Sequence, residues 1–150
     1  MKIFCDTNIL MEFIQQRKLA LEVERVLSFA ESNAHQLYIS VGSFFTTTYL
    51  VECYLKQEQL PKEIRLERLK SIMNGILDLF LFAQLSGETL SDGVNDQLFS
   101  DLEDSYQAHA AMAEGCDAIL TIDIKHFKNL ADSGSMEILN PQGFIERYLP

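Results

Sequence analysis

Three carboxylates are the residues in this sequence whose positions best suit chemistry. Asp6 directly follows the apolar run 3–5, and Asp123 directly follows the apolar run 118–122 (AILTI). Asp104 lies near the start of a predicted helix, on the same face as small residues that follow at spacings of three or four, Ala108, Ala111 and Gly115. Because small residues let a helix approach a sheet closely, we expect Asp104 to lie near the two strand-end carboxylates.

Three converging carboxylates need either a proton or a cation among them. At about 4 Å and an effective dielectric near 20, each pair of charges repels by roughly 4 kcal/mol. Sites built only of oxygen ligands suit Mg²⁺ or Mn²⁺, which bind a few carboxylates together with substrate phosphates. Metal-assisted attack of water on a phosphodiester is the reaction that such a site would serve.

Several neighbouring polar residues could support these carboxylates. Asp101, on the same helix face as Asp104, either belongs to this acidic group or is an acid that stabilises the helix start. Three hydrogen-bonding side chains adjoin the strand-end carboxylates and could orient them or serve local turns, namely Thr7, Asn8 and Thr121. Lys125 and His126 follow Asp123 and are either weak substrate contacts or solvated side chains.

The elements that would position these residues alternate between strands and helices. Buried strands are predicted at 2–6, 36–40, 79–84, 118–122 and 136–139. Helices are predicted at 8–33 as one or two segments with Arg17–Lys18 as the break, and at 43–55, 62–77, 101–115, 125–130 and 141–149, while 86–99 is a helix or a loop. Ser100 and Glu103 predict a capping box at the start of helix 101–115, and Gly115 predicts its end.

This alternation predicts a single α/β domain over residues 1–150 with a mainly parallel central sheet. In such folds the functional crevice lies outside the carboxyl ends of the strands. Asp6 and Asp123 both fall at that edge.

Composition limits the classes of function. The formal net charge of −10 argues against tight, nonspecific binding to a nucleic-acid backbone. The three cysteines, Cys5, Cys53 and Cys116, lack the spacing of a zinc site, so reduced thiols are expected. No signal peptide or membrane-spanning run is recognised, so a cytoplasmic protein without membrane attachment is expected.

Two segments together resemble the PIN domain, as found in VapC-type toxins of toxin-antitoxin pairs. They are DTNIL after the first strand and DLEDSYQAHAAMAEGCDAILTIDIKHF near the C-terminus. The resemblance implies a Rossmann-like α/β/α sandwich, an acidic Mg²⁺ or Mn²⁺ site, endoribonuclease activity, and a homodimer neutralised by an antitoxin protein. Position by position, it assigns metal binding and catalysis to Asp6, Asp104 and Asp123, with Asp101 as an auxiliary ligand.

The sequence departs from this pattern at Thr46, because the family usually carries a glutamate on the helix after the second strand. Glu52 is six residues further on, about 9 Å along a regular helix and on a rotated face, so it is a poor substitute. Thr46 could instead engage a metal-bound water. An alternative function is therefore a catalytically degenerate module that binds RNA or protein. A third, receiver-like reading is disfavoured because paired acids are missing after the first strand.

Overall fold

The computed structural model describes all residues, 1–150, as five strands and eight α-helices. The strands are β1 (Lys2–Cys5), β2 (Gln36–Ser40), β3 (Leu81–Ala83), β4 (Ala118–Leu120) and β5 (Glu137–Leu139). The helices are α1 (Thr7–Ile14), α2 (Ala20–Ser32), α3 (Val41–Gln57), α4 (Lys62–Leu79), α5 (Gly87–Asn95), α6 (Leu102–Glu114), α7 (Lys128–Ser133) and α8 (Pro141–Tyr148). A 3₁₀ turn spans Ile124–Phe127.

The five strands form one sheet in the order β3-β2-β1-β4-β5, and every neighbouring pair is parallel. The predicted α/β class is confirmed, and the sheet is wholly rather than mainly parallel. This order differs from the 2-1-3-4-5 order of receiver-like domains, so the receiver-like reading is wrong. The central strand β1 carries Asp6 at its carboxyl end.

Alternating side chains of the strands build two cores, one on each face of the sheet. Ile3 and Cys5 point into a core formed with α1, α2, α4 and α8. Phe4, between them, points into the opposite core, where α6 and α7 pack. Helices cover both faces, as an all-parallel sheet requires, and the predicted α/β/α sandwich is confirmed.

The structure settles the elements that the sequence left open. Segment 8–33 forms two helices, α1 and α2, and segment 86–99 contains the helix α5, whose N-cap Ser86 accepts a hydrogen bond from the Thr89 N–H. The strand predicted at 118–122 is shorter, because β4 ends at Leu120 and Asp123 lies three residues beyond it.

The predicted capping box at Ser100 and Glu103 is wrong. The N-cap of α6 is Asp101, whose Oδ1 accepts a hydrogen bond from the Asp104 N–H at 3.1 Å. An aspartate side chain reaches the amide three residues further on, which is the usual geometry of a helix N-cap. Glu103 is therefore not engaged in capping.

The predicted end of this helix is confirmed at Gly115, which adopts a left-handed conformation with φ +70°.

The three cysteines are free thiols. None of the helices combines the length and the apolar character that crossing a membrane demands.

Candidate active site

Asp6 lies at the junction of β1 and α1, at the carboxyl edge of the sheet. Its N–H continues the pairing with β4 by donating to the Leu120 carbonyl at 3.0 Å. Although Asp6 is the N-cap residue of α1, its side chain makes no capping bond. Its Oδ2 instead accepts a hydrogen bond from Thr121 Oγ1 at 2.7 Å. Burial raises the pKa of the Asp6 carboxyl, and hydrogen bonds from Thr121 and Gln107 partly offset the rise.

A small polar network orders the loop that follows β4. Thr121 Oγ1 accepts a hydrogen bond from the Asp123 N–H at 3.1 Å, and Asn8 Nδ2 donates to the same oxygen at 3.3 Å. Asn8 Oδ1 also accepts from the Ile122 N–H at 3.2 Å. These bonds tie the start of α1 to residues 121–123 and so set the position of Asp123 relative to Asp6.

Asp104 approaches from α6 and pairs with a histidine. Its Oδ2 lies 2.7 Å from His126 Nδ1, and the Asp104 side chain is 14% exposed against 52% for His126. Burial, together with the charges of Asp6 and Asp101, raises the pKa of Asp104 to about 6, and His126 only partly offsets this rise. Asp104 thus holds its negative charge at a cost in free energy, as expected for converging carboxylates.

These side chains line one open cavity of about 360 Å³. Five carboxylates face it: Asp6, Asp101, Glu103, Asp104 and Asp123. Thr7, Asn8, Thr46 and His126 also line it, whereas Lys125 does not. Thr121 is fully buried beneath Asp6. The fold therefore gathers the three carboxylates singled out from the sequence, which lie 117 residues apart at most along the chain.

The donor chemistry of the cavity fits a hard divalent cation such as Mg²⁺ or Mn²⁺, since carboxylate oxygens are its preferred protein ligands. However, no group of three acidic, histidine or cysteine side chains is arranged so that it could hold an ion. Asp104 is directed to His126 and Asp6 to Thr121. The cavity thus contains suitable donors that are not arranged as a coordination sphere.

The Thr7 side chain does not orient a carboxylate, which was one of the roles considered for it from the sequence. Its hydroxyl donates to Ser43 Oγ at 3.2 Å instead of to a carboxylate, and its N–H donates to Gln107 Oε1 at 3.2 Å. Ser43 Oγ also donates to Gln107 Oε1 at 3.2 Å. Gln107 therefore joins α1, α3 and α6 beneath the cavity. Its position three residues after Asp104, on the same helix face, was the signal in the sequence that could have identified it.

Glu103 is the second residue that sequence reasoning missed. Its carboxylate faces Thr46, whose hydroxyl lowers the pKa of Glu103 and partly offsets the rise caused by burial and by the charges of Asp101 and Asp6. Glu52, in contrast, pairs with Lys56 at 3.5 Å and lines a different cavity. A carboxylate thus faces the Thr46 position, but it comes from α6 instead of α3.

Arg17 is the third missed residue, and it is the single lysine or arginine that lines the cavity. In the sequence it is seen only as a break between two helices. Its place at the cavity follows from the packing of the α1–α2 turn, which no local pattern reveals.

Comparisons with known proteins identify the family and the fold of this chain. A family model described as PIN domain matches residues 2–125. Ribonuclease VapC1 of Aquifex aeolicus (strain VF5) is 29% identical over 154 residues, which cover 98% of this chain and 95% of that protein. The crystal structure of VapBC2 from Rickettsia felis, bound to a DNA fragment from their promoter, contains a chain with the same fold at a TM-score of 0.65 and 21% identity. That match covers 93% of this chain and 98% of that chain.

Proposed function

This chain belongs to the PIN domain family, and from that premise we propose that it is a metal-dependent endoribonuclease and the toxin of a toxin-antitoxin pair. The observation that carries the proposal is the gathering of Asp6, Asp104 and Asp123 around one cavity at the carboxyl edge of the sheet. The name of the Aquifex relative, a ribonuclease, supports RNA as the substrate.

In this proposal Asp6, Asp104 and Asp123 would hold Mg²⁺ or Mn²⁺, with Asp101 as an auxiliary ligand. When bound, the ion would supply Lewis-acid activation of water and of the scissile phosphate. Thr121 orients the Asp6 carboxylate through the 2.7 Å hydrogen bond, and Asn8 in turn donates a hydrogen bond to Thr121.

His126 holds the Asp104 carboxylate, and it is the more exposed partner of that pair. It therefore stands where a substrate phosphate would arrive, so we assign it a substrate contact. Lys125 does not line the cavity, and we assign it only a weaker substrate contact.

The test is cleavage of a mixed cellular RNA pool by the purified protein with Mn²⁺ or Mg²⁺. We expect Asp104→Asn to lower the rate by at least roughly a hundredfold, because it removes a charged ligand, and we expect a chelator to abolish cleavage. The matched control is Asp132→Asn, which removes a surface carboxylate that does not line the cavity and should leave the rate unchanged. Equal rates for Asp104→Asn and wild type would contradict the proposal.

The second candidate function is a degenerate module that binds RNA or protein without cleavage. It is favoured by Thr46 in place of an acid and by carboxylates that are not arranged around a common ion. Calorimetric titration with Mn²⁺ separates the two functions, since the degenerate module should bind no ion and the nuclease should lose binding on Asp104→Asn.

Partners follow from the same premise. The Rickettsia structure is of VapBC2 with promoter DNA, and by analogy we propose that an antitoxin protein binds this chain. We also propose a homodimer, which is supported by a stripe of exposed apolar side chains on α3, namely Val41, Phe45 and Tyr49.

A further inference from the structure

The turn between α1 and α2 is closed by its own hydrogen bonds. The buried Glu12 carboxylate accepts from the Leu19 N–H at 2.6 Å, and the Glu12 carbonyl accepts from the Arg17 N–H at 3.0 Å. The Arg17 carbonyl in turn accepts from the Ala20 N–H at 3.1 Å. Gln16, with φ +49°, makes the sharp bend. Both backbone groups of Arg17 are therefore engaged, and its position in the fold is set.

This turn brings Arg17 to the rim of the carboxylate cavity. Arg17 is exposed and forms no ion pair, although five carboxylates line the same cavity. Lys18, the next residue and also a basic one, is exposed but does not line the cavity. The guanidinium is thus near a strongly negative region but is available to a ligand.

We propose that Arg17 binds a backbone phosphate of the RNA and is the residue that positions the strand against the carboxylates. This inference rests on the proposed function, because it places the substrate in the same cavity. An acidic protein of net charge −10 repels a polyanion. A planar guanidinium offsets that repulsion locally, since its paired N–H groups match two phosphate oxygens.

The alternative is that Arg17 is a solvated charge that only lessens the general repulsion. In that case any neighbouring cation would serve equally well. Lys18 provides the comparison, because it is adjacent, exposed and of the same charge but does not line the cavity.

The experiment measures binding of a fluorescently labelled, mixed-sequence single-stranded RNA oligonucleotide in chelator, over a series of salt concentrations. We expect Arg17→Gln to weaken binding roughly tenfold, because hydrogen bonds to a charged group are lost, and Lys18→Gln to change it less than about twofold. The slope of log affinity against log salt should fall by about 0.7 for Arg17→Gln, the value for one phosphate contact on a single strand. Arg17→Lys should restore the slope but not the full affinity, because the charge returns without the planar fork.

Cleavage kinetics with Mn²⁺ give the second readout. Arg17→Gln should raise KM far more than it lowers kcat, since the proposed phosphate contact is made equally in the bound substrate and in the transition state. Equal effects of Arg17→Gln and Lys18→Gln on RNA affinity, or no effect of either, would overturn the inference.

The inference and the proposed function fail in different ways. If Asp104→Asn abolishes cleavage while Arg17→Gln behaves as wild type, the nuclease stands and the Arg17 inference falls. If RNA binds in an Arg17-dependent manner but is never cut, the inference stands and the nuclease falls. If wild type binds no RNA with or without Mn²⁺, both are overturned.

Discussion

At the scale of single residues, the central fact is that carboxylates are held close together against their mutual repulsion. Asp6, Glu103 and Asp104 all have raised pKa values, with burial as the largest cause in each. Nearby carboxylate charges add to the rise for Glu103 and Asp104. The charged carboxylates therefore lower the stability of the folded chain, at a site that suits a cation.

Because the charge on Asp104 is costly in the folded state, the stability of the protein should depend on pH through this residue. Its pKa is about 6 in the folded protein against 3.8 for the free group, so the folded state binds the proton more tightly and stability falls as pH rises through that window. Asp104→Asn mimics the protonated form. In chelator, its free energy of unfolding should match wild type near pH 4 and exceed it by about 1 to 3 kcal/mol at pH 7.

Urea unfolding at several pH values checks this prediction. Asp132→Asn is the control, because its exposed carboxylate does not line the cavity. A variant that is less stable than wild type at pH 7 would indicate that the pairing of Asp104 with His126 outweighs the cost of the charge.

A second prediction concerns Glu103, whose carboxylate faces Thr46. If it contributes to the cation site, Glu103→Gln should weaken Mn²⁺ binding by roughly tenfold or more, as loss of a supporting carboxylate typically does. Calorimetric titration measures this, with Glu88→Gln as the control, since Glu88 occupies the first turn of α5 away from the cavity. If the double variant Thr46→Glu, Glu103→Gln recovers Mn²⁺ affinity, then a carboxylate at this place in the cavity is sufficient, whichever helix carries it.

At the scale of elements, α6 combines two tasks in its first turn. Asp101 caps the helix through the Asp104 N–H, and the same residue lines the cavity. Small residues Ala108 and Ala111 are fully buried further along the helix, which lets its start approach the sheet closely. A single turn therefore determines both the stability of α6 and the placement of two carboxylates.

Two substitutions at Asp101 separate these tasks. Asn caps a helix about as well as Asp does, whereas Ala does not, so Asp101→Ala should be about 1 kcal/mol less stable than Asp101→Asn. Both variants remove the same charge and should lower Mn²⁺ affinity equally. Urea unfolding and calorimetry give the two quantities, and a larger loss of affinity in Asp101→Ala would mean that the cap itself positions Asp104.

At the scale of the whole molecule, an acidic surface carries an uncovered apolar stripe. Val41, Phe45 and Tyr49 lie four residues apart on α3 and are 42%, 69% and 66% exposed. Contiguous exposed apolar side chains mark interaction surfaces in many proteins. The stripe is thus a suitable face for the proposed homodimer.

We predict a light-scattering mass of twice the 17.1 kDa chain, falling to that of one chain in Phe45→Glu, because a buried charge without a partner opposes association. Leu21→Glu is the control, since Leu21 is 71% exposed on α2, outside the stripe. A mass of one chain at every concentration would contradict the dimer, and an unchanged dimer in Phe45→Glu would place its interface elsewhere.

The sequence by itself determined the layers of the fold and the three carboxylates. Short apolar runs such as Ile3 to Cys5 are typical of strands buried on both faces. Because these runs alternate with helical patterns, a parallel sheet with covered faces was predictable. Asp6 directly follows the end of such a run. The direction of the chain therefore places Asp6 at the carboxyl edge of the sheet.

Only the tertiary structure decided which other side chains meet these carboxylates. Glu103 faces Thr46 from a different helix, Gln107 bonds Thr7 and Ser43, and Arg17 arrives from a turn. Each contact joins residues that are distant along the chain, and their meeting depends on how closely whole helices pack. The hydrophobic periodicity of the sequence describes one helix or strand at a time, so it does not predict how closely two helices pack.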